Sequence, residues 1–165
     1  MSQILDLGNT ETIKFNDNPV ETLQLNGVEI WAGFNKLEQL IDRSIESVMA
    51  EDLEGITTIG NHAFSYCKNL KDVIIPNSVT SIKSNAFLGC SGLKNIIIGS
   101  GVTDIKDFAF DQCTSLTTMK LLPTTPPTIG EVPSSVTRIE VPINSLSDYQ
   151  SAEVWNDSAD KMVGV

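Results

Sequence analysis

The sequence predicts a repeat solenoid: a short arc with one parallel β-strand per 23-residue unit and short helical or turn segments on the other face. Three observations predict it. Ile59, Ala63, Phe64, Cys67, Leu70, Val73 and Ile75 recur as Ile82, Ala86, Phe87, Cys90, Leu93, Ile96 and Ile98, and again as Ile105, Ala109, Phe110, Cys113, Leu116, Met119 and Leu121. Such an echo marks units that bury their apolar sides only by stacking on each other. Partial echoes flank the three units: Ile45, Val48 and Ala50 before them, Val136, Ile139 and Val141-Pro142 after them. Finally, 41% of the chain is apolar, a globular proportion that does not suggest disorder.

Residues 1–34 read as a small β-meander. Thr12-Ile13-Lys14-Phe15 alternates polar and apolar, Asn16-Asp17-Asn18-Pro19 supplies a turn, and Val20–Leu25 is a second strand. Asn26-Gly27 then favours a type I′ hairpin turn, because both central residues there need positive φ. Val28-Glu29-Ile30-Trp31 is the return strand, and Trp31 and Phe34 are docking candidates. Residues 35–43 read as a linking helix, with Asn35 as N-cap, Glu38 three residues on, and Leu37, Leu40 and Ile41 at helical spacing.

The array is expected over residues 44–142, with three complete units and about five strand rungs. After Leu116 the next strand comes at a spacing of 20, no Ala-Phe pair intervenes, and Pro123, Pro126 and Pro127 break regular structure. Residues 143–165 read as a helical C-terminal cap. There Asn144 or Ser145 starts a helix holding Leu146 and Tyr149, and Trp155 covers the last rung.

Charge and cysteine usage narrow the function. The formal net charge of −10 argues against nucleic acid or an anionic membrane as partner. It is uneven: residues 1–55 carry 11 acids and 3 bases, residues 56–122 carry 4 and 6, and residues 123–165 carry 6 and 2. No apolar run reaches the roughly 18 residues of a membrane span. The start, Met1-Ser2-Gln3-Ile4-Leu5-Asp6, lacks the basic and apolar regions of a signal peptide, so the compartment is left open. Cys67, Cys90 and Cys113 share one repeat position; with no metal-ligand spacing they read as a buried ladder of core filler. His62, the single histidine, aligns with Asn85 and Phe108 and reads as exposed and idle. No nucleophile–base pattern, phosphate loop or calcium loop is present, so no catalytic residue, metal ligand or cofactor is expected.

The unit Leu-x-x-Ile/Val-x-Ile-Pro-x-x-Val-x-x-Ile-x-x-x-Ala-Phe-x-x-Cys resembles the BspA-like class of bacterial leucine-rich repeats over roughly Ser44 to Pro142. That resemblance implies a right-handed leucine-rich repeat arc with a parallel sheet on one face, of a kind used by surface proteins that bind host proteins, matrix or cells. The ending, through Tyr149, Trp155 and Ala159-Asp160-Lys161, looks like the closing segment of such proteins in gut bacteria. The opening, Ile13–Asn16 to Leu25–Trp31, is similar to a short module of phage virion proteins.

Strand parity predicts the binding face. With Leu70, Val73 and Ile75 inward, one outward column is Ser47, Asp72, Asn95, Thr118 and Arg138, and the other is Met49, Ile74, Ile97, Lys120 and Glu140. Met49, Ile74 and Ile97 form an apolar stripe of the kind that marks contact surfaces. The expected function is a non-enzymatic, adhesin-like module for a protein or glycan ligand on a cell surface. The alternative is a structural or receptor-binding part of a phage virion, homo-oligomeric through the N-terminal module.

Overall fold

The computed structural model describes residues 44–165 and, ahead of them, the backbone of four short strands. These are β1 (Lys14–Phe15), β2 (Asn18–Pro19), β3 (Leu23–Leu25) and β4 (Val28–Ile30). They pair antiparallel, β1 with β2 and β3 with β4. β3 and β4 pair with Leu25 opposite Val28; the Asn26-Gly27 turn expected between them lies outside the described residues. Asn18-Pro19, expected in the first turn, is instead paired as β2 with Lys14-Phe15. The expected linking helix at 35–43 and the docking roles of Trp31 and Phe34 lie outside the described residues.

From residue 44 onward each unit makes one circuit and contributes a strand to each of two parallel sheets. The larger sheet contains β5 (Ser47–Val48), β7 (Asp72–Ile75), β9 (Asn95–Ile98), β11 (Thr118–Leu121), β13 (Arg138–Val141) and β14 (Met162–Gly164), in that order. Strands separated by a full circuit run the same way, so the ladder is parallel throughout. The β-branched runs Val73-Ile74-Ile75 and Ile96-Ile97-Ile98 suit it. The second sheet consists of the two-residue strands β6 (Thr58–Ile59), β8 (Ser81–Ile82), β10 (Asp104–Ile105) and β12 (Thr128–Ile129). Sequence reading placed only helices or turns opposite the main sheet. The short strands arise because the repeated isoleucine of each unit is held in register by the one before it.

The remaining side is a stack of turns. Phe64 N–H donates to Ala86 O at 2.7 Å and Phe87 N–H to Ala109 O at 2.8 Å, while bonds such as Cys67 N–H to Phe64 O close each turn internally. This path puts two residues per unit at positive φ. His62, Asn85 and Phe108 lie at 58–59°, and Tyr66, Gly89 and Gln112 at 57–70°. Asn85 and Gly89 are residue types that tolerate this conformation, whereas Tyr66 and Phe108 bear its steric cost.

The echoed residues fill the interior. Phe64, Phe87 and Phe110 stack with centroids 5.1 and 5.4 Å apart and rings within 6° and 12° of parallel, close to the rung spacing of a sheet. Val73, Ile96, Met119 and Ile139 pair across the main ladder and are all buried. The cysteines are buried thiols, outside any disulfide. Cys90 Sγ–H donates to Phe64 O at 3.0 Å and Cys113 Sγ–H to Phe87 O at 3.1 Å, so each thiol ties its unit to the previous one.

The ends differ from the sequence reading in three ways. β5 stops at Val48, and Ala50, expected in the strand, instead opens a 3-10 helix (Ala50–Leu53) whose Leu53 fills the core. The proline-interrupted unit still supplies a strand to each sheet, β12 and β13. The C-terminal segment adds a sixth rung, because Met162–Gly164 pairs in parallel with Ile139–Val141. Between them a short α-helix (Leu146–Ser151) and a 3-10 helix (Trp155–Lys161) cover the end of the array. Tyr149 and Trp155 are buried edge to face, 5.6 Å apart. Tyr149 Oη–H donates to Pro123 O at 3.0 Å and Trp155 Nε1–H to Pro127 O at 2.7 Å, which anchors the proline loop.

Candidate binding face

The main sheet turns its second residue set outward, and strand register fixes which of these are neighbours. Ser47, Asp72, Asn95, Thr118 and Arg138 form one continuous column. Ile74, Ile97, Lys120 and Glu140 form the other, extended by Val163 of β14. Met49 lies one residue beyond β5, half-buried, with its N–H bonded to the Asp52 carboxylate at 2.8 Å. It stands next to the ladder rather than in it.

The face is graded in chemistry. Ile74 and Ile97 are each half-buried, side by side at the centre. Beside them Asn95 Nδ2 donates to Asp72 Oδ1 at 2.8 Å. Toward the C-terminal end Arg138 Nε donates to Glu140 Oε1 at 2.9 Å, and Lys120 Nζ lies 3.6 Å from Glu140 Oε2. The Arg138 hydrogen bond, with the charges of Arg138 and Lys120, holds the Glu140 carboxyl below the usual carboxylate range. Surface ion pairs of this sort contribute only about 0–1 kcal/mol to stability. The cluster is therefore a fixed charge pattern next to an apolar stripe, suited to orienting a partner that buries its own apolar group on the isoleucines.

His62 departs from the idle role expected of it. It is half-buried, and its Nδ1 lies 3.1 Å from Ser65 Oγ. Ser65 Oγ gives its single proton to Asn85 O at 2.8 Å, so Nδ1 must carry the proton of the His62–Ser65 bond. The pair links one turn to the next, which is a structural task. Cys90 is set against reactivity: the adjoining Cys113 thiol and burial push its pKa up. Among the described residues no three His, Cys, Asp or Glu side chains assemble where a metal ion could be held. No helix among them is long and apolar enough to cross a membrane.

Two features escaped the sequence reading. Val163 joins the outer column through a three-residue strand, too short to read as a pattern. Phe108 and Tyr66, 58% and 52% exposed, project from the turn side at their positive-φ positions. The available signal for Phe108 was an aromatic aligned with the polar His62 and Asn85.

Comparison with known proteins agrees with the repeat. Residues 42–148 match the BspA-type leucine-rich repeat region in six copies. A crystal structure of a leucine-rich cell surface protein from Faecalibacterium prausnitzii is 26% identical, with a TM-score of 0.36. The match covers 73% of this chain and 36% of that one, so the chain spans well under two thirds of its length. No curated protein was found to match the sequence.

Proposed function

Because the chain belongs to the BspA-type leucine-rich repeat family, we propose that it is a non-enzymatic, adhesin-like recognition module that engages a protein or glycan on a cell surface through the outer face of its six-stranded sheet. The observation that carries this reading is the in-register pair Ile74–Ile97 at the centre of that face, with Asp72–Asn95 on one side and Lys120, Arg138 and Glu140 at its end. An apolar centre with a polar, charged surround is how contact surfaces are built. Parallel solenoids present such surfaces without moving, so little ordering free energy is lost on binding.

The test compares the full chain with the Ile74→Glu/Ile97→Glu double variant on a panel of purified extracellular matrix proteins, mucin glycopeptides and an oligosaccharide array. The two side chains point away from the core, so the variant stays folded, its midpoint lowered only by the repulsion of two glutamates facing each other across the ladder. Specific retention of a panel member by the parent, weakened more than tenfold in the variant, supports the reading. Undiminished retention by the variant places the contact elsewhere and sinks it.

A further inference from the structure

The stack of turns ends before the sheets do: β12, β13 and β14 continue beyond it. Eleven residues separate Ile105 from Leu116, but seven separate Ile129 from Val136, its counterpart in the next unit. The chain closes this circuit by the direct path Gly130–Ser135 and omits the Ala-Phe turn that the three preceding units carry. Gly130 makes the shortcut fit, because a Cβ there would strike Asp107. What the missing turn leaves behind is a cleft of about 300 Å³ between Phe108–Thr114 and the wall formed by Glu131 and Pro133–Ser135.

The floor of the cleft is the unfinished edge of the turn ladder. In the preceding unit Asn85 N–H donates to Asp107 O and Phe87 N–H to Ala109 O. The equivalent N–H groups of Phe108 and Phe110 have no acceptor among the described residues. Gln112 N–H, third in the series, is instead bonded to its neighbour Asp111 Oδ1 at 2.9 Å. Two donors at alternate residues, aimed where the next turn would lie, match the alternate carbonyls of a peptide chain. Phe108 adds an exposed ring held in a costly backbone conformation, the kind of strain found at ligand sites. The exposed carboxylates of Asp111 and Glu131 border the same cleft.

We propose that this cleft is a second binding site, for a short peptide segment bearing an arginine or lysine. Two peptide carbonyls of the segment accept from Phe108 and Phe110 N–H, replacing the omitted turn. The cationic side chain lies between Asp111 and Glu131 with its stem over the Phe108 ring, gaining cation–π and charge-assisted contacts. The site is separate from the sheet face and does not depend on that face binding anything.

Amide NMR on the full chain tests it, with the probe acetyl-Gly-Ala-Arg-Ala-Gly-amide and its Glu-for-Arg counterpart. The arginine peptide should shift the Phe108 and Phe110 amide resonances in a saturable way, at least fivefold more tightly than the glutamate peptide. Asp111→Asn/Glu131→Gln should weaken it at least fivefold, and Ile74→Glu/Ile97→Glu should leave it unchanged. Silence at those two amides up to millimolar peptide overturns the proposal. So does equal affinity for the two peptides, or a response at the same amides to chitobiose but not to the arginine peptide.

Discussion

Replacing Phe87 by alanine removes the middle ring of a three-ring stack. Its side chain is fully buried, 5.1 Å from Phe64 on one side and 5.4 Å from Phe110 on the other. Truncating a buried phenylalanine costs about 3–5 kcal/mol through lost transfer free energy and the cavity left behind. Neighbouring rungs cannot close in on that cavity, because Phe87 N–H and Cys113 Sγ–H hold the flanking turns at fixed spacing. The upper half of that range, about 4–5 kcal/mol, is therefore expected. Phe110 has one ring neighbour and borders the cleft, so Phe110→Ala should cost less by about 1 kcal/mol, the worth of one aromatic contact. Urea denaturation of both variants against the parent, followed by far-UV circular dichroism at constant m, measures the two differences. A loss below about 2 kcal/mol for Phe87→Ala, or a Phe110→Ala loss as large, would refute the shared-stack account.

Two further outcomes follow from polar contacts. Burial raises the pKa of Asp104, but hydrogen bonds from Thr128 Oγ1 at 2.8 Å, Lys106 Nζ at 3.0 Å and Ser81 Oγ at 3.1 Å outweigh it and hold the carboxyl below the usual range. A carboxyl depressed on folding stabilises the native state above its unfolded pKa of about 4 and loses that effect as pH falls through the lower folded value. Asp104→Asn should therefore flatten the decline in thermal midpoint below about pH 4; an unchanged acid limb would count against the contact. Tyr149→Phe strands the Pro123 carbonyl inside the cap and should cost about 1–2 kcal/mol, read as a midpoint lowered by roughly 2–8 °C in scanning calorimetry. A midpoint within 1 °C of the parent would show that water reaches that carbonyl.

The repeat was legible because its cause is local and recurring. Every position facing the interior meets the same neighbours one rung above and below, so Phe87 and Cys90 have to match Phe64 and Cys67 in size and polarity. Most of the outward columns followed from parity once Val73 and Ile75 were placed facing in; Met49 fell outside the ladder because β5 stops at Val48, and Val163 was missed. What stayed hidden depended on fit rather than pattern. Ile129 is 24 residues from Ile105, and its strand is two residues long, too short for any periodicity to register. Met162–Gly164 becomes a rung because the cap returns the chain to the sheet edge, a tertiary event with no local signature. His62 looked idle because its unit-to-unit bond runs through Ser65, whose counterparts Leu88 and Asp111 cannot repeat it.

Each circuit holds its neighbours by bonds that recur at a fixed offset, so a unit can lose one side and keep the others. The fourth circuit does this. It retains Thr128–Ile129 for the small sheet and Arg138–Val141 for the large one, yet drops four residues of turn. That economy would expose the end of the phenylalanine stack, but Phe110 remains only 3% exposed. Pro133 to Ser135 stand across the cleft from it, and Ser135 Oγ–H closes the corner on Cys113 O at 3.0 Å. The deletion thus leaves the core dry while opening backbone donors at Phe108 and Phe110. A worn terminal repeat would ordinarily be expected to shed polar groups toward water at random. Here the opened donors, an exposed ring and two carboxylates border one cleft, which is why the place where the repeat fails offers a second recognition surface beside the regular sheet face.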